Sequence, residues 1–120
     1  MNVQGPDFVA LQWRDKEAGA TFYETMLGLK RAGFSPPDAV VFDTQPIAFA
    51  IREPLVDLDL TEHRGLGVVL WLLADDSASV LDHMRTEGAD IVRPLAESPF
   101  GKTFTFRDPE GYLVTIHDKG

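Results

Sequence analysis

The feature that most constrains this chain is an echo of itself at half its length. Gly28 and Gly88 stand 60 residues apart in a chain of 120, and each closes the same run of signals. The first run opens with the apolar segment Phe8-Val9-Ala10-Leu11-Gln12-Trp13, and Asp15 follows where a helix N-cap belongs. Phe22, Tyr23, Met26 and Leu27 then form one helical stripe, and Gly28 supplies a left-handed C-cap. The second run starts with Val68–Leu73, offers Asp75, Asp76 or Ser77 as the cap, and carries a stripe of Val80, Leu81 and Met84 before Gly88. Three β-like segments follow each helix: Leu29–Phe34, Ala39–Asp43 and Ile47–Arg52, then Ala89–Arg93, Lys102–Arg107 and Tyr112–His117. Proline- and glycine-bearing breaks separate them. The pattern predicts an α+β fold of two βαβββ modules, about 7–53 and about 65–118, in a single domain over 1–120.

Such a chain is large enough for one hydrophobic core and too small for two domains. It has no cysteine, which removes disulfides, thiolate metal sites and thiol nucleophiles. The first residues show no signal peptide, and the longest apolar run, Val68–Ala74, is too short to span a bilayer. A cytoplasmic protein without a membrane partner is expected. The net charge is −8, shared equally by the two halves, so no basic patch exists for a nucleic acid. The acidity reads as solubility, with attraction of a cationic ligand the sharper alternative.

Two motifs carry a family resemblance. Phe22-Tyr23-Glu24-Thr25-Met26-Leu27-Gly28-Leu29 and Phe106-Arg107-Asp108-Pro109-Glu110-Gly111-Tyr112 resemble the helix end and the turn of the vicinal oxygen chelate superfamily. That superfamily includes glyoxalases, bleomycin-resistance proteins and extradiol dioxygenases. The resemblance implies a curved mixed sheet around a cavity and a homodimer binding a small organic molecule. Ser98-Pro99-Phe100-Gly101-Lys102 through Gly111, and the place of Trp71, are most similar to the bleomycin-resistance branch.

Enzymes of the superfamily usually hold a divalent metal at four positions. Carried over by the resemblance, these fall on Phe8, on Ala48 or Ala50, on Val69 (or Val68), and on Thr115. None offers the imidazole or carboxylate such a cation needs. No metal and no other cofactor is therefore expected, nor metal-dependent glyoxalase or dioxygenase chemistry. His63 reads as a solvated loop residue and His83 as a surface helix residue. His117 shares a strand face with Thr115, with a structural role or a place at the cavity mouth both open. No phosphate loop or nucleophile elbow is present.

If Phe8 faces the cavity, alternation brings Ala10, Gln12, Ala48, Ala50, Arg52, Val69, Trp71, Leu73, Leu113, Thr115 and His117 with it. Val9, Leu11, Trp13, Leu70, Leu72, Val114 and Ile116 then pack on the helices. The candidate ligand-binding set is Trp71, Phe100, Phe34, Phe8, Gln12, Arg52, Val69, Thr115 and His117, with no catalytic residue assigned. Trp71 and Phe100 are expected as opposite walls of an aromatic clamp. The favoured expectation is a binding module that sequesters an aromatic or cationic, antibiotic-like natural product. The alternatives are a metal-free enzyme of lyase, isomerase or dioxygenase type, using Gln12, Arg52 or His117, and a purely structural domain.

Overall fold

A computed structural model describes residues 1–119, in which the chain forms two compact units divided after Leu58. In the first unit the elements are β1 (Phe8–Gln12), α1 (Lys16–Leu27), β2 (Ala39–Phe42) and β3 (Ala48–Arg52). The strand order is β1-β3-β2, with β1 parallel and β2 antiparallel to β3. The Asp15 side chain accepts the Ala18 N–H at 3.2 Å, and Gly28 ends the helix at φ 67°. Between those caps the helix buries Gly19, Ala20 and Tyr23, while Phe22, Met26 and Leu27 of the expected stripe are half-buried; Tyr23 meets Phe49 edge-on at 5.2 Å, and Phe42 stacks on Phe49 at 6.1 Å. Trp13, buried beside Gly19 of the helix, closes the end of this core.

The second unit holds β4 (Leu70–Leu73), α2 (Ser77–Thr86), β5 (Asp90–Ser98), β6 (Gly101–Arg107) and β7 (Leu113–His117), in the order β4-β7-β6-β5. Its core is Leu81 and Met84 of the helix with Phe104, Phe106, Val114 and Ile116 of the sheet. Asp76 is the cap: its carboxylate accepts the Ala78 N–H at 3.1 Å and the Ser79 hydroxyl at 2.7 Å. The helix ends in a Schellman pair, Gly88 N–H to Arg85 C=O at 3.1 Å and Ala89 N–H to Met84 C=O at 2.9 Å. As in the first unit, the opening strand lies parallel beside the last one, which is antiparallel to its predecessor. The α+β duplication expected from the glycine echo is thus present, as two helices and seven strands in two mixed sheets among the described residues.

Three expectations need correction. Leu29–Phe34 is not a strand; it touches β2 through a single bridge, Arg31 to Phe42. The pairing stops because the Ser35 hydroxyl takes the Val41 N–H at 2.9 Å and Pro36-Pro37 has no N–H to offer. The second module's opening strand begins at Leu70, not Val68. A turn through Gly65 (φ 70°) and Gly67 (φ 84°) occupies the chain just before it, and Val68 and Val69 are left exposed outside the ladder. Finally, β5 does not stop at Arg93 but continues past Pro94 to Ser98, with register shifts on both sides of Arg93. As an edge strand with an irregular ladder, it tolerates a residue that cannot donate.

The turn Asp108–Gly111 is built as its sequence indicates. One oxygen of the buried Asp108 carboxylate accepts the N–H groups of Glu110, Gly111 and Tyr112 at 2.9–3.0 Å. Glu110 in turn pairs with Arg64 at 3.3 Å, both side chains only 5% exposed, which ties the segment before β4 to this turn. Among the described residues no helix is long and apolar enough to cross a membrane.

Candidate functional site

The helix-covered and open faces of the second sheet follow from strand alternation. Leu70, Leu72, Phe104, Phe106, Val114 and Ile116 turn toward α2, which leaves Trp71, Leu73, Thr103, Thr105, Leu113, Thr115 and His117 on the other face. The ladder sets these residues in rows, because directly paired residues share a face. Trp71 pairs with Thr115 and Thr115 with Thr105, while Leu73 pairs with His117 and His117 with Thr103.

Trp71, 41% exposed, is the centre of an aromatic cluster on this open face. Phe100 meets it at 5.7 Å with an interplanar angle of 82°, and the His117 ring at 5.3 Å and 61°. Phe100 is therefore not the opposite wall of a clamp. A flat guest between two walls needs parallel rings with space between them; these two touch edge to face and form a corner, with Phe100 53% exposed. His117 Nδ1 lies 3.2 Å from the Lys119 carbonyl, which can only accept, so Nδ1 carries the hydrogen and Nε2 is the acceptor of the neutral ring. Beside the corner, the hydroxyls of Thr105 and Thr115 bond to each other at 2.8 Å.

The corner is held by a residue that sequence reading passed over. Asp118, one position beyond β7, accepts the Ser77 N–H at 3.1 Å and the Lys102 N–H at 2.9 Å. It thereby joins the start of α2 to the turn that carries Phe100, and the Lys119 N–H adds a bond to the Phe100 carbonyl at 3.0 Å. These bonds, that from Ser77 first, hold the Asp118 carboxyl below its ordinary value of 3.8. Gly101 has φ 85°, and an added Cβ would meet the Asp118 carboxylate, so only glycine suits the turn. Thr105 was within reach of the alternation in Lys102–Arg107; Asp118 sits past a strand end, where no periodic signal exists.

The remaining candidates are placed as follows. Val69 precedes the strand and is exposed, so alternation does not set its direction. In the first unit, Phe8, Ala10 and Gln12 of β1 lie opposite Ala48, Ala50 and Arg52 of β3, which puts all six on one face. Gln12 Oε1 accepts the Leu55 N–H at 2.6 Å and the Val56 N–H at 3.3 Å, anchoring the segment after β3. Arg52 donates to Asp38 at 3.0 Å and to the Glu53 carbonyl at 3.0 Å. Both polar groups are thus engaged in holding loops. Phe34 is exposed in the irregular segment before β2, and Phe8 is exposed at the start of β1.

The metal positions carried over from the resemblance do not fit a divalent cation. Phenylalanine, alanine and valine have no donor atom, and the one oxygen, that of Thr115, is bonded to Thr105. Among the described residues no three His, Asp or Glu side chains are grouped so as to hold a metal. His63 and His83 are exposed, in the loop before β4 and on α2.

Two successive units, each a helix on a mixed sheet whose opening strand lies parallel beside its last strand, define a class, and the sequence profile of that class matches. Residues 5–116 match the Glyoxalase/Bleomycin resistance protein/Dioxygenase superfamily, and the chain belongs to it. Among solved structures, the fold is similar to the fosfomycin resistance protein FosX from Listeria monocytogenes, with a TM-score of 0.76 at 14% identity over 99% of this chain and 96% of that one. It is also similar to a glyoxalase/bleomycin resistance protein from Streptomyces sp. CB03234, with a TM-score of 0.75 at 16% identity over 95% and 100%. A lactoylglutathione lyase from Agrobacterium tumefaciens gives a TM-score of 0.69 at 19% identity over 98% and 96%. At such identities the likeness speaks for the fold, which resistance proteins and enzymes share. No curated relative matches the chain significantly.

Proposed function

We propose that this protein is a metal-free, bleomycin-resistance-like member of its superfamily that binds and sequesters a small aromatic, antibiotic-like molecule without turning it over. The observation that carries this reading is the half-exposed Trp71, set against Phe100 and His117 on the open face of the second sheet. Part-exposed aromatic side chains clustered on one sheet face suit a flat organic guest. The lack of donors at the carried-over metal positions supports binding over metal-assisted chemistry.

The protein works as a homodimer in this reading, because Leu66, Val68 and Val69 expose a run of apolar surface just ahead of β4 that a second copy would cover. Light scattering at micromolar concentration that shows only monomer overturns that part.

The ligand test is tryptophan fluorescence quenching by hits from a thermal-shift screen of planar antibiotics, in wild type, Trp71→Phe and Trp13→Phe. Quenching is expected to be lost with Trp71 and kept with Trp13. Trp71→Ala weakens binding about tenfold, the sum of lost stacking and lost buried area. Quenching that depends on Trp13 alone refutes the assignment.

One observation favours a second reading, an enzyme acting on a small organic substrate. His117 Nε2 is an acceptor held in a fixed tautomer on the same face, as a general base would be. Turnover of a bound ligand that is abolished by His117→Gln, with binding retained, would select it.

A further inference from the structure

The row that starts at Trp71 runs across all four strands of the second sheet and ends in a positive charge. Trp71 pairs with Thr115, Thr115 with Thr105, and Thr105 with Arg93, so the four side chains share the open face. Strands lie about 4.8 Å apart, which puts the Trp71 and Arg93 backbones roughly 14 Å from each other, a gap that both long side chains can narrow. Between them sits the bonded Thr105–Thr115 hydroxyl pair. Arg93 is exposed, and among the described residues its guanidinium has no ion-pair partner.

The neighbouring rows fix the sign of this face. One is Leu113, Arg107 and Asp90, in which Arg107 already holds Asp90 at 3.4 Å. The other is Leu73, His117, Thr103 and Ala96, with no carboxylate. Asp118 lies beyond the strand and is bonded to the N–H groups of Ser77 and Lys102. In these three rows Asp90 is the one carboxylate and it is paired, so Arg93 is left as the uncompensated charge. The chain's overall −8 argues for a cation only at long range, and charges beyond about 8–10 Å are screened at physiological salt. The local guanidinium decides.

We propose that this face binds a planar aromatic carboxylate, its ring on the corner of Trp71, Phe100 and His117 and its carboxylate at Arg93. The inference rests on the aromatic-ligand reading above and adds to it the charge of the ligand. A guanidinium fork matches a carboxylate in two parallel hydrogen bonds, and the two threonine hydroxyls lie along the way.

The test uses three probes with one ring system: naphthoate, naphthamide and naphthylmethylammonium, titrated calorimetrically into the wild type, Arg93→Gln and Trp71→Ala. Naphthoate is expected to bind about fivefold tighter than naphthamide, the factor an exposed ion pair supplies, with the ammonium weakest. Arg93→Gln brings naphthoate to the naphthamide value and leaves naphthamide unchanged; as an exposed edge-strand residue it can be replaced without disturbing the core. Trp71→Ala weakens naphthoate and naphthamide alike. The anion assignment falls, while the aromatic site stands, if naphthoate and naphthamide bind equally, or the ammonium binds tightest, and Trp71→Ala still weakens them. Absence of binding by any probe, or binding indifferent to Trp71→Ala, overturns the site and the inference together. Binding that fades as protein concentration rises assigns the face to a second copy and overturns the inference too.

Discussion

Gly19 tests whether the core of the first unit is as tight as its distances imply. Helix propensity alone favours Gly19→Ala by about 1 kcal/mol, because glycine in a helix interior leaves the most backbone entropy to lose. The surroundings argue the other way. A Cβ at position 19 would lie 2.6 Å from Trp13 Cδ2, 2.9 Å from Trp13 Cε3 and 2.7 Å from Ile51 Cγ2. Neither neighbour has room to retreat: Trp13 is 4% exposed with the Phe22 ring also packed near it at 6.3 Å, and Ile51 is fully buried in β3. Overpacking of this kind costs about 1–3 kcal/mol, so it outweighs the propensity gain and leaves a net loss of about 1 kcal/mol. In thermal melts that is a fall of roughly 3–6 °C for a chain of this size. The control is Gly33→Ala, where the added methyl meets nothing within 4 Å and φ is not positive; it is expected to be neutral or stabilising by up to about 1 kcal/mol. A midpoint that rises in Gly19→Ala as it does in Gly33→Ala would refute the packing described here.

Trp13→Ala is expected to lose about 3–5 kcal/mol in denaturant titrations, as buried aromatic truncations do, whereas Trp71→Ala stays much closer to wild type because its ring is half exposed. On the acid side, Asp76 is held below its ordinary carboxylate value, by the Ser79 hydroxyl first, and Asp118 by the Ser77 N–H first. A carboxyl with a depressed folded-state value contributes stability above the unfolded value and loses it as pH falls through the folded one, so stability should decline below about pH 4. The double variant Asp76→Asn, Asp118→Asn flattens that limb in pH-resolved melts, and an unchanged acid limb would contradict the bonding assigned to both. Elemental analysis after titration with nickel, zinc and iron is expected to find no stoichiometric metal. One tightly held ion per chain, lost on changing His117 or Thr115, would contradict the donor argument.

The elements that were legible beforehand are those whose signals are local. Asp15 caps its helix, Asp76 is the one of three adjacent candidates that caps the other, Gly28 and Gly88 end them, and Asp108 folds its turn, because each acts on backbone groups within a few residues. Alternation likewise separated Trp71 from Leu70 and Leu72, and Thr115 from Val114 and Ile116. What failed depended on partners distant in sequence. Leu29–Phe34 has the composition of a strand, yet the Ser35 hydroxyl and two prolines end its pairing with β2 after one bridge. Val69 reads as part of an apolar strand and is left outside it by the Gly65–Gly67 turn.

The candidate site divides in the same way. The sequence by itself determined the duplicated α+β plan, the family and the absence of metal donors at the expected positions, since all three are properties of residue type and order. Only the tertiary structure decided that Phe100 meets Trp71 at a right angle instead of facing it, that Gln12 and Arg52 serve loops, and that Arg93 stands in the same row as Trp71. Those outcomes hang on strand register and on hydrogen bonds between residues as far apart as Ser77 and Asp118. A one-residue slip in register turns every side chain of a strand to the opposite face, and nothing within a single strand says which partner it will pair with.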